Sequence, residues 1–181
     1  MKGIVFTEFL EMVESTFSET MVDRIIDKAK PASGGAYTSV GFYDHREIVA
    51  LVVALSEASG TPVPDLIKTF GRHLFGRFAT VFPAFFENVP DAFEFLGGIE
   101  TRIHSEVLKL YPDAELPTFL CDDSRSGILV LDYKSKRPFA DLAEGLIEGY
   151  IAHFGGRITL ERKDRPEGDI QARFTLTQAA A

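Results

Sequence analysis

Apolar residues recur at helical spacing over the first two-thirds of the chain. Residues 4–17 carry such a stripe with glutamates between its members, and residues 20–29 repeat the pattern. The run Asp44-His45-Arg46-Glu47 predicts another helix start, because an aspartate followed three residues later by a glutamate is typical of a capping box. This helix is expected to end at Gly60. Two further helices are predicted over about residues 65–80 and 91–110.

The remainder of the chain alternates apolar and polar residues, which is the pattern of half-buried strands. Strands are predicted over residues 128–134, 157–163 and 170–177, and an amphipathic helix is predicted over residues 138–154. Pro166 and Gly168 give residues 164–169 the chemistry of a turn, so the last two strands should form a hairpin with a long loop. Residues 37–43 fit either a short strand or an extended connector.

These elements predict an α+β fold. A helical N-terminal lobe would be joined to a C-terminal lobe that combines an antiparallel sheet with helices. The length of 181 residues fits a single domain, residues 1–181. The chain has 16 Phe and 0 Trp, which fits either a core rich in Phe or the lining of an apolar cavity.

Charge and hydropathy limit the class of protein. The net charge of −8 argues against a nucleic-acid partner, because phosphate binding requires a basic surface. The longest strictly apolar run, residues 48–55, is too short to cross a bilayer. Glu8, Glu11 and Glu14 argue against a signal peptide at the N-terminus. We therefore expect a cytoplasmic protein without a membrane segment.

His104 stands out among the four histidines. It falls late in a predicted helix, beside an apolar stripe. Taken alone, such a histidine fits an ordinary residue at the edge of the core. It also fits the neutral imidazole that a five-coordinate haem iron requires on one side. The stripe consists of Leu96, Ile99, Ile103, Val107 and Leu110.

A second candidate lies at the end of the strand predicted over residues 128–134. On a strand, Tyr133, Ser135 and Arg137 point to one face, which would present a phenol, a hydroxyl and a guanidinium together. All three groups donate hydrogen bonds, and the arginine fork matches carboxylates, so the set could hold two propionates. The alternative is an edge strand whose polar residues face water. Phosphate-binding glycine loops, HExxH and GxSxG are absent from the sequence.

The order of these residues resembles a known family. The segment IHSEVLKLYPDAELP, residues 103–117, is similar to the proximal helix and following loop of heme-nitric oxide/oxygen binding (H-NOX) domains. Tyr133-x-Ser135-x-Arg137 is similar to the haem-propionate motif of that family. The segments MKGIVF, TFGR and AEGLIEG also resemble H-NOX sequences, so the resemblance covers essentially the whole chain.

The resemblance implies a haem b buried between the two lobes. His104 would be the axial ligand of the ferrous iron, and Pro117 would press on the porphyrin and distort it. The residues implied to hold the propionates are Tyr133, Ser135 and Arg137. The residues implied to form apolar pocket walls are Val5, Phe78 and Leu146.

The resemblance also implies selectivity among gases. Relatives that hold dioxygen place a tyrosine five residues after the motif arginine, and here that position is Leu142. Phe9 and Leu74 stand at the positions of its helper residues and are also apolar. Missing a hydrogen bond to bound dioxygen costs about 1.5–3 kcal/mol, a factor of roughly 10 to 150 in affinity. We therefore expect binding of nitric oxide and carbon monoxide, without a stable dioxygen complex.

The implied function is that of a gas sensor and not of an enzyme. Nitric oxide would break the bond between iron and His104, release the distortion near Pro117 and shift the two lobes. The sequence has no kinase, cyclase or phosphodiesterase segment, so the expected effector is a separate sensor histidine kinase or cyclic-di-GMP enzyme. The alternatives are a haem enzyme, which usually needs polar groups beside the iron, a haem carrier, and a helical interaction module without a cofactor.

Overall fold

Four helices form the N-terminal lobe in the computed structural model, which describes residues 1–87, 89–165 and 168–179. The helices are α1 (Gly3–Thr16), α2 (Glu19–Ala29), α3 (His45–Ser59) and α4 (Val63–Val81). Their apolar stripes meet in one buried cluster, which confirms the helices predicted from the spacing. The largest fully buried side chains of this cluster are Phe6, Phe9, Met12, Ile25, Leu51 and Leu55.

Local interactions set the ends of these helices. Ser18 begins α2 by accepting a hydrogen bond from the backbone N–H of Met21, and Asp44 begins α3 by accepting one from Arg46. Gly60 ends α3 with φ of 75°, a left-handed conformation that costs glycine little. The predicted start and end of α3 are therefore both observed.

Glu47 does not complete the predicted capping box. Its Oε2 accepts hydrogen bonds from Ser33 Oγ at 2.6 Å and from the hydroxyl of Tyr37 at 2.9 Å. Of the two alternatives for residues 37–43, a short strand or a connector, the structure shows the connector. Within the described residues, its strand pairing is limited to one isolated bridge between Lys2 and Phe42. Glu47 thus fastens this connector to α3.

The C-terminal lobe contains a four-stranded antiparallel sheet of order β1-β2-β4-β3. The described chain has no helix that combines the length and the apolar character needed to cross a membrane. The strands are β1 (Thr118–Arg125), β2 (Ile128–Lys134), β3 (Ile158–Asp164) and β4 (Ala172–Gln178). The helical segments are a 3₁₀ turn at Pro83–Phe85, α5 (Ala92–Gly97), a π-helical segment at Ile99–His104, α6 (Ser105–Leu110) and α7 (Ala140–Phe154).

A second buried cluster lies between this sheet and α7. Leu131 of β2 pairs with Phe174 of β4, and Leu129 pairs with Leu176, so both strands turn their apolar residues to the same face. Leu146 of α7 packs against this cluster and also against the cluster of the N-terminal lobe. The α+β fold with two lobes is confirmed, and α7 contributes to the cores of both.

Two predictions about this lobe were incomplete. The single helix expected over residues 91–110 is divided, because Gly97-Gly98 weakens the helix and a π-helical segment follows. Strand β1 was not predicted, because Phe119 is its only buried side chain and Asp122-Asp123-Ser124 removes any alternation. The β3–β4 pairing confirms the predicted hairpin. In its loop, Pro166 and Glu167 lie outside the described residues.

The two lobes are joined by a close contact between α4 and α7. A Cβ atom added at Gly71 would lie 2.6 Å from the Leu142 carbonyl oxygen, and one added at Gly145 would overlap the Lys68 carbonyl oxygen. Both obstacles are backbone atoms, which cannot move aside as a side-chain tip can. The backbones can therefore approach this closely only because both positions are glycine.

We predict that Gly145→Ala destabilises the fold by about 1–3 kcal/mol, because the added methyl group forces α4 and α7 apart. Gly76→Ala, also in a helix, is the matched control: a Cβ there meets nothing within 4 Å. This control should raise stability by roughly 0.5–1 kcal/mol through helix propensity alone. Urea unfolding measures both free energies, and equal effects of the two substitutions would contradict the account.

Candidate functional site

The π-helical segment Ile99–His104 sets the direction of the His104 side chain. The backbone N–H of Ser105 donates to the carbonyl oxygen of Glu100, five residues earlier, and Ser105 Oγ donates to the carbonyl oxygen of Thr101. Such π-turns occur frequently at functional sites. The segment brings the His104 ring next to Phe119 of β1, with the ring centroids 6.2 Å apart.

The imidazole of His104 is held through one of its two nitrogens. Its Nδ1 donates to Glu100 Oε1 at 3.0 Å, because an ionised carboxylate can only accept. The same oxygen accepts a hydrogen bond from the backbone N–H of Phe119 at 2.8 Å. No hydrogen bond to Nε2 is formed by the residues that the structure describes. This arrangement leaves the Nε2 lone pair available.

The surroundings of His104 favour the neutral ring. The side chain is 12% exposed. Burial lowers the pKa of His104 below its ordinary value, while the charge and hydrogen bond of Glu100 act in the opposite direction; burial is the larger effect. A neutral imidazole is the form that binds a metal ion.

A cavity of about 300 Å³ lies in front of His104. Pro117, Ser135 and Arg137 also line it, so the structure brings together four of the residues singled out in the sequence. The volume falls at the lower end of the range for small-molecule pockets. Its other lining residues are Glu100, Leu108, Ala114, Glu115, Leu116, Thr118 and Lys136.

The prediction that a strand presents Tyr133, Ser135 and Arg137 on one face was wrong in its local geometry. Strand β2 ends at Lys134, and residues 135–137 form a bend. Ser135 Oγ accepts a hydrogen bond from the backbone N–H of Arg137 at 3.1 Å, which closes a turn in place of the sheet ladder. Pro138 follows and cannot donate to a neighbouring strand. Ser135 and Arg137 reach the same cavity through this bend.

Arg137 is the main positive charge at the cavity. Its side chain is 17% exposed, and its guanidinium forms an ion pair with the Glu115 carboxylate. Its Nη1 also donates to the Glu115 backbone oxygen at 3.2 Å. The N-terminal amine of Met1 lies close enough that burial and then the charge of Arg137 lower its pKa. A carboxylate of a bound molecule would replace that of Glu115 on the Arg137 fork.

Tyr133 lies behind the cavity and is not among its lining residues. Its side chain is buried, and its ring contacts those of Phe119 and Phe174, with centroids 5.3 and 6.4 Å away. Burial raises the pKa of Tyr133, while Ser135 and Arg137 oppose that shift, so the phenol is close to both. Tyr133 therefore stands as a buried donor next to the bend.

The remaining predicted residues form an apolar group on the side of the N-terminal lobe. Val5 and Leu142 line a second cavity of about 230 Å³. Phe9 and Leu74 are buried inside the N-terminal cluster, and Phe78, Leu142 and Leu146 pack against it. The segment 135–142 lies between the two cavities, because Ser135 and Arg137 face the first, whereas Pro138 and Phe139 face the second.

Sequence reasoning missed Glu100 and Glu115. The spacing of four residues between Glu100 and His104 is a signal that could have found the first, because side chains at i and i+4 meet on a helix. Glu115 gives no such signal, since its pairing with Arg137 joins residues 22 positions apart. Only the fold brings these two together.

The donor set suits a porphyrin with two propionates. A neutral imidazole with a free Nε2 can bind the iron, and Ser135 with Arg137 can bind carboxylates. The apolar residues around Val5 and Leu146 can cover a porphyrin face. Of these residues, His104, Ser135 and Arg137 line the first cavity and Val5 lines the second, whereas Leu146 packs against the apolar clusters.

Comparisons with known proteins agree on one family. A family model described as Haem-NO-binding matches residues 2–162. The chain is 35% identical to the unliganded Fe(II) H-NOX protein from K. algicida, with a TM-score of 0.92 and coverage of 100% of this chain and 98% of that chain. No curated protein matches the chain.

Two further solved structures are similar. An IWP-051-bound H-NOX from Shewanella woodyi, in the Fe(II)CO ligation state, is 40% identical, with a TM-score of 0.85 and coverage of 99% of this chain and 95% of that chain. An H-NOX protein from S. oneidensis in the Fe(II)NO ligation state is 26% identical, with a TM-score of 0.90 and coverage of 99% and 100%.

Proposed function

The chain belongs to the haem-NO-binding family, and on that premise we propose that it is a haem-based sensor that binds nitric oxide. The observation that carries this proposal is the His104 ring, held at Nδ1 by Glu100 and free at Nε2, in one cavity with Ser135 and Arg137. The cofactor would be haem b in the ferrous state. When bound, ferrous haem supplies a coordination position that accepts nitric oxide or carbon monoxide.

The residues predicted for the site would divide the task of holding the haem. His104 Nε2 binds the iron, and the guanidinium of Arg137 binds a propionate in place of Glu115. Ser135 and Tyr133 supply further donors. Pro117 lines the same cavity as His104 and would press on the porphyrin and distort it. Apolar cover comes from Val5, Phe9, Leu74, Phe78, Leu142 and Leu146.

The response begins at His104. His104 Nε2 would hold the iron, and binding of nitric oxide would release this histidine. Pro117 would hold the porphyrin in a distorted form until that release, and the lobes would then shift relative to each other about the contact of α4 with α7. The two arrangements of the lobes would form a two-state equilibrium. A ligand that binds one state more tightly shifts the equilibrium towards that state.

We propose that the domain signals and does not catalyse. Its effector would be a separate sensor histidine kinase or a cyclic-di-GMP enzyme in the cytoplasm, as in two-component signalling. The activity of that effector should depend on nitric oxide only while His104 is present. The acidic net charge of −8 argues against a nucleic-acid partner.

The role of Arg137 can be tested by its removal. Arg137→Ala should raise the dissociation constant for haem by roughly 10 to 150-fold, because a charge-assisted hydrogen bond is worth about 1.5–3 kcal/mol. Transfer of haem to an acceptor protein measures this constant. Lys134→Ala is the matched control, since Lys134 pairs with Asp169 and does not line the cavity. Equal haem affinities of the two variants would rule out propionate binding by Arg137.

The apolar pocket predicts how the gases are discriminated. The ferrous protein should show no stable dioxygen spectrum in air, because Leu142 offers no hydrogen bond. Leu142→Tyr should raise dioxygen affinity by roughly 10 to 150-fold relative to the control Leu142→Phe, which adds the ring without the hydroxyl. Absorption spectra of reduced protein in air measure the difference. A stable dioxygen complex of the unaltered chain would refute the proposed selectivity.

A further inference from the structure

Glu100 makes two hydrogen bonds through a single oxygen. Its Oε1 accepts from His104 Nδ1 at 3.0 Å and from the backbone N–H of Phe119 at 2.8 Å. His104 belongs to the π-helical segment, whereas Phe119 belongs to β1. The carboxylate therefore joins the helix that carries the histidine to the strand that begins immediately after Pro117.

The negative charge of the Glu100 carboxylate is not paired with any Lys or Arg side chain that the structure describes. In the described residues, His104 is the only ion-pair partner of Glu100. The nearest cation in sequence, Arg102, pairs instead with Glu94 at 2.9 Å. The backbone N–H of Phe119 fixes the position of the carboxylate without neutralising it. An anchored and uncompensated carboxylate thus faces the ring nitrogen opposite Nε2.

We propose that Glu100 is the positioning residue of His104 and sets the strength of the bond between Nε2 and iron. The proposal rests on the proposed function, because it assumes that His104 binds haem iron. A carboxylate that accepts from the outer nitrogen of an iron-bound histidine fixes its tautomer and ring orientation and makes the ligating nitrogen more basic. Glu100 therefore opposes the release of His104 and sets how readily nitric oxide triggers it.

A positioning role and a purely structural role of Glu100 predict different measurements. A structural residue would change the stability of the fold and leave the iron–histidine bond as it was. A positioning residue changes the bond itself, and in proportion to the acceptor strength of the side chain at position 100. Glutamate, glutamine and leucine form such a series, because glutamine keeps a neutral acceptor and leucine has none.

The experiment compares haem-loaded Glu100→Gln and Glu100→Leu with the unaltered chain and with Glu106→Gln. Glu106 is the matched control, since it lies on α6 and pairs with the exposed Lys109. Resonance Raman spectroscopy of the reduced protein measures the iron–histidine stretching frequency. Rapid mixing with nitric oxide measures the rate at which His104 is released.

We expect the stretching frequency to fall from glutamate to glutamine to leucine, and to stay unchanged in Glu106→Gln. Glu100→Leu should release His104 on the order of 10-fold faster, in line with the roughly 10 to 100-fold loss of metal affinity when such a partner of a metal-ligating histidine is removed. Equal frequencies and rates in all four proteins would overturn the proposal. If Glu100→Leu fails to fold or load haem, Glu100→Gln alone decides it.

This test also distinguishes the two proposals. If the unaltered chain shows no iron–histidine band, the proposed function fails, and with it the premise of the inference. If the band is present and insensitive to position 100, His104 binds iron without help from Glu100. In that case the proposed function stands and only the role of Glu100 is rejected.

Discussion

The hydrogen bond between His104 and Glu100 is the interaction on which the candidate site depends. It occupies Nδ1 and leaves Nε2 as the nitrogen that can bind a metal ion. Burial lowers the pKa of His104 and so favours the neutral imidazole, which is the form that can bind a metal ion. The anchoring of Glu100 by the N–H of Phe119 ties this chemistry to the sheet. The fold therefore sets the direction in which the imidazole points.

The architecture gives such a site a means to affect distant surfaces. Two apolar clusters form the two lobes, and α7 contributes to both. The lobes meet where Gly71 and Gly145 let the backbones of α4 and α7 approach each other. The segment 135–142 runs from the His104 cavity into α7, so a displacement of the bend at residues 135–137 would be transmitted along the chain to this contact. A molecule bound in this cavity against Ser135 and Arg137 would therefore act on a segment that continues into α7.

Sequence patterns predicted most of the fold because burial imposes a period on the chain. Helices α1 to α4 and strands β2 to β4 each bury one face, and their apolar residues repeat accordingly. Strand β1 lies at the edge of the sheet and buries only Phe119, so it leaves no such pattern. The π-helical segment also escaped prediction, since its register depends on single backbone bonds such as that from Ser105 to Glu100.

Several residues of the candidate site could be predicted from the sequence, but part of its local geometry could not. The family resemblance identified His104, Pro117, Ser135 and Arg137, and the fold places them around one cavity. The end of β2 at Lys134 matches the predicted strand, but the bend at residues 135–137 could not be predicted, because it depends on the hydrogen bond between Ser135 and Arg137. Glu115 was hidden for a similar reason, since its pairing with Arg137 arises only when distant segments meet.

The most direct test of the account is the absorption spectrum of the reduced protein, compared with that of His104→Gly before and after addition of free imidazole. The account predicts a strong Soret band of histidine-ligated haem in the unaltered protein, its loss or marked weakening in the variant, and its recovery when imidazole fills the space left by the side chain. A colourless unaltered protein, or a variant whose spectrum matches it without imidazole, would contradict the claim that His104 binds the iron.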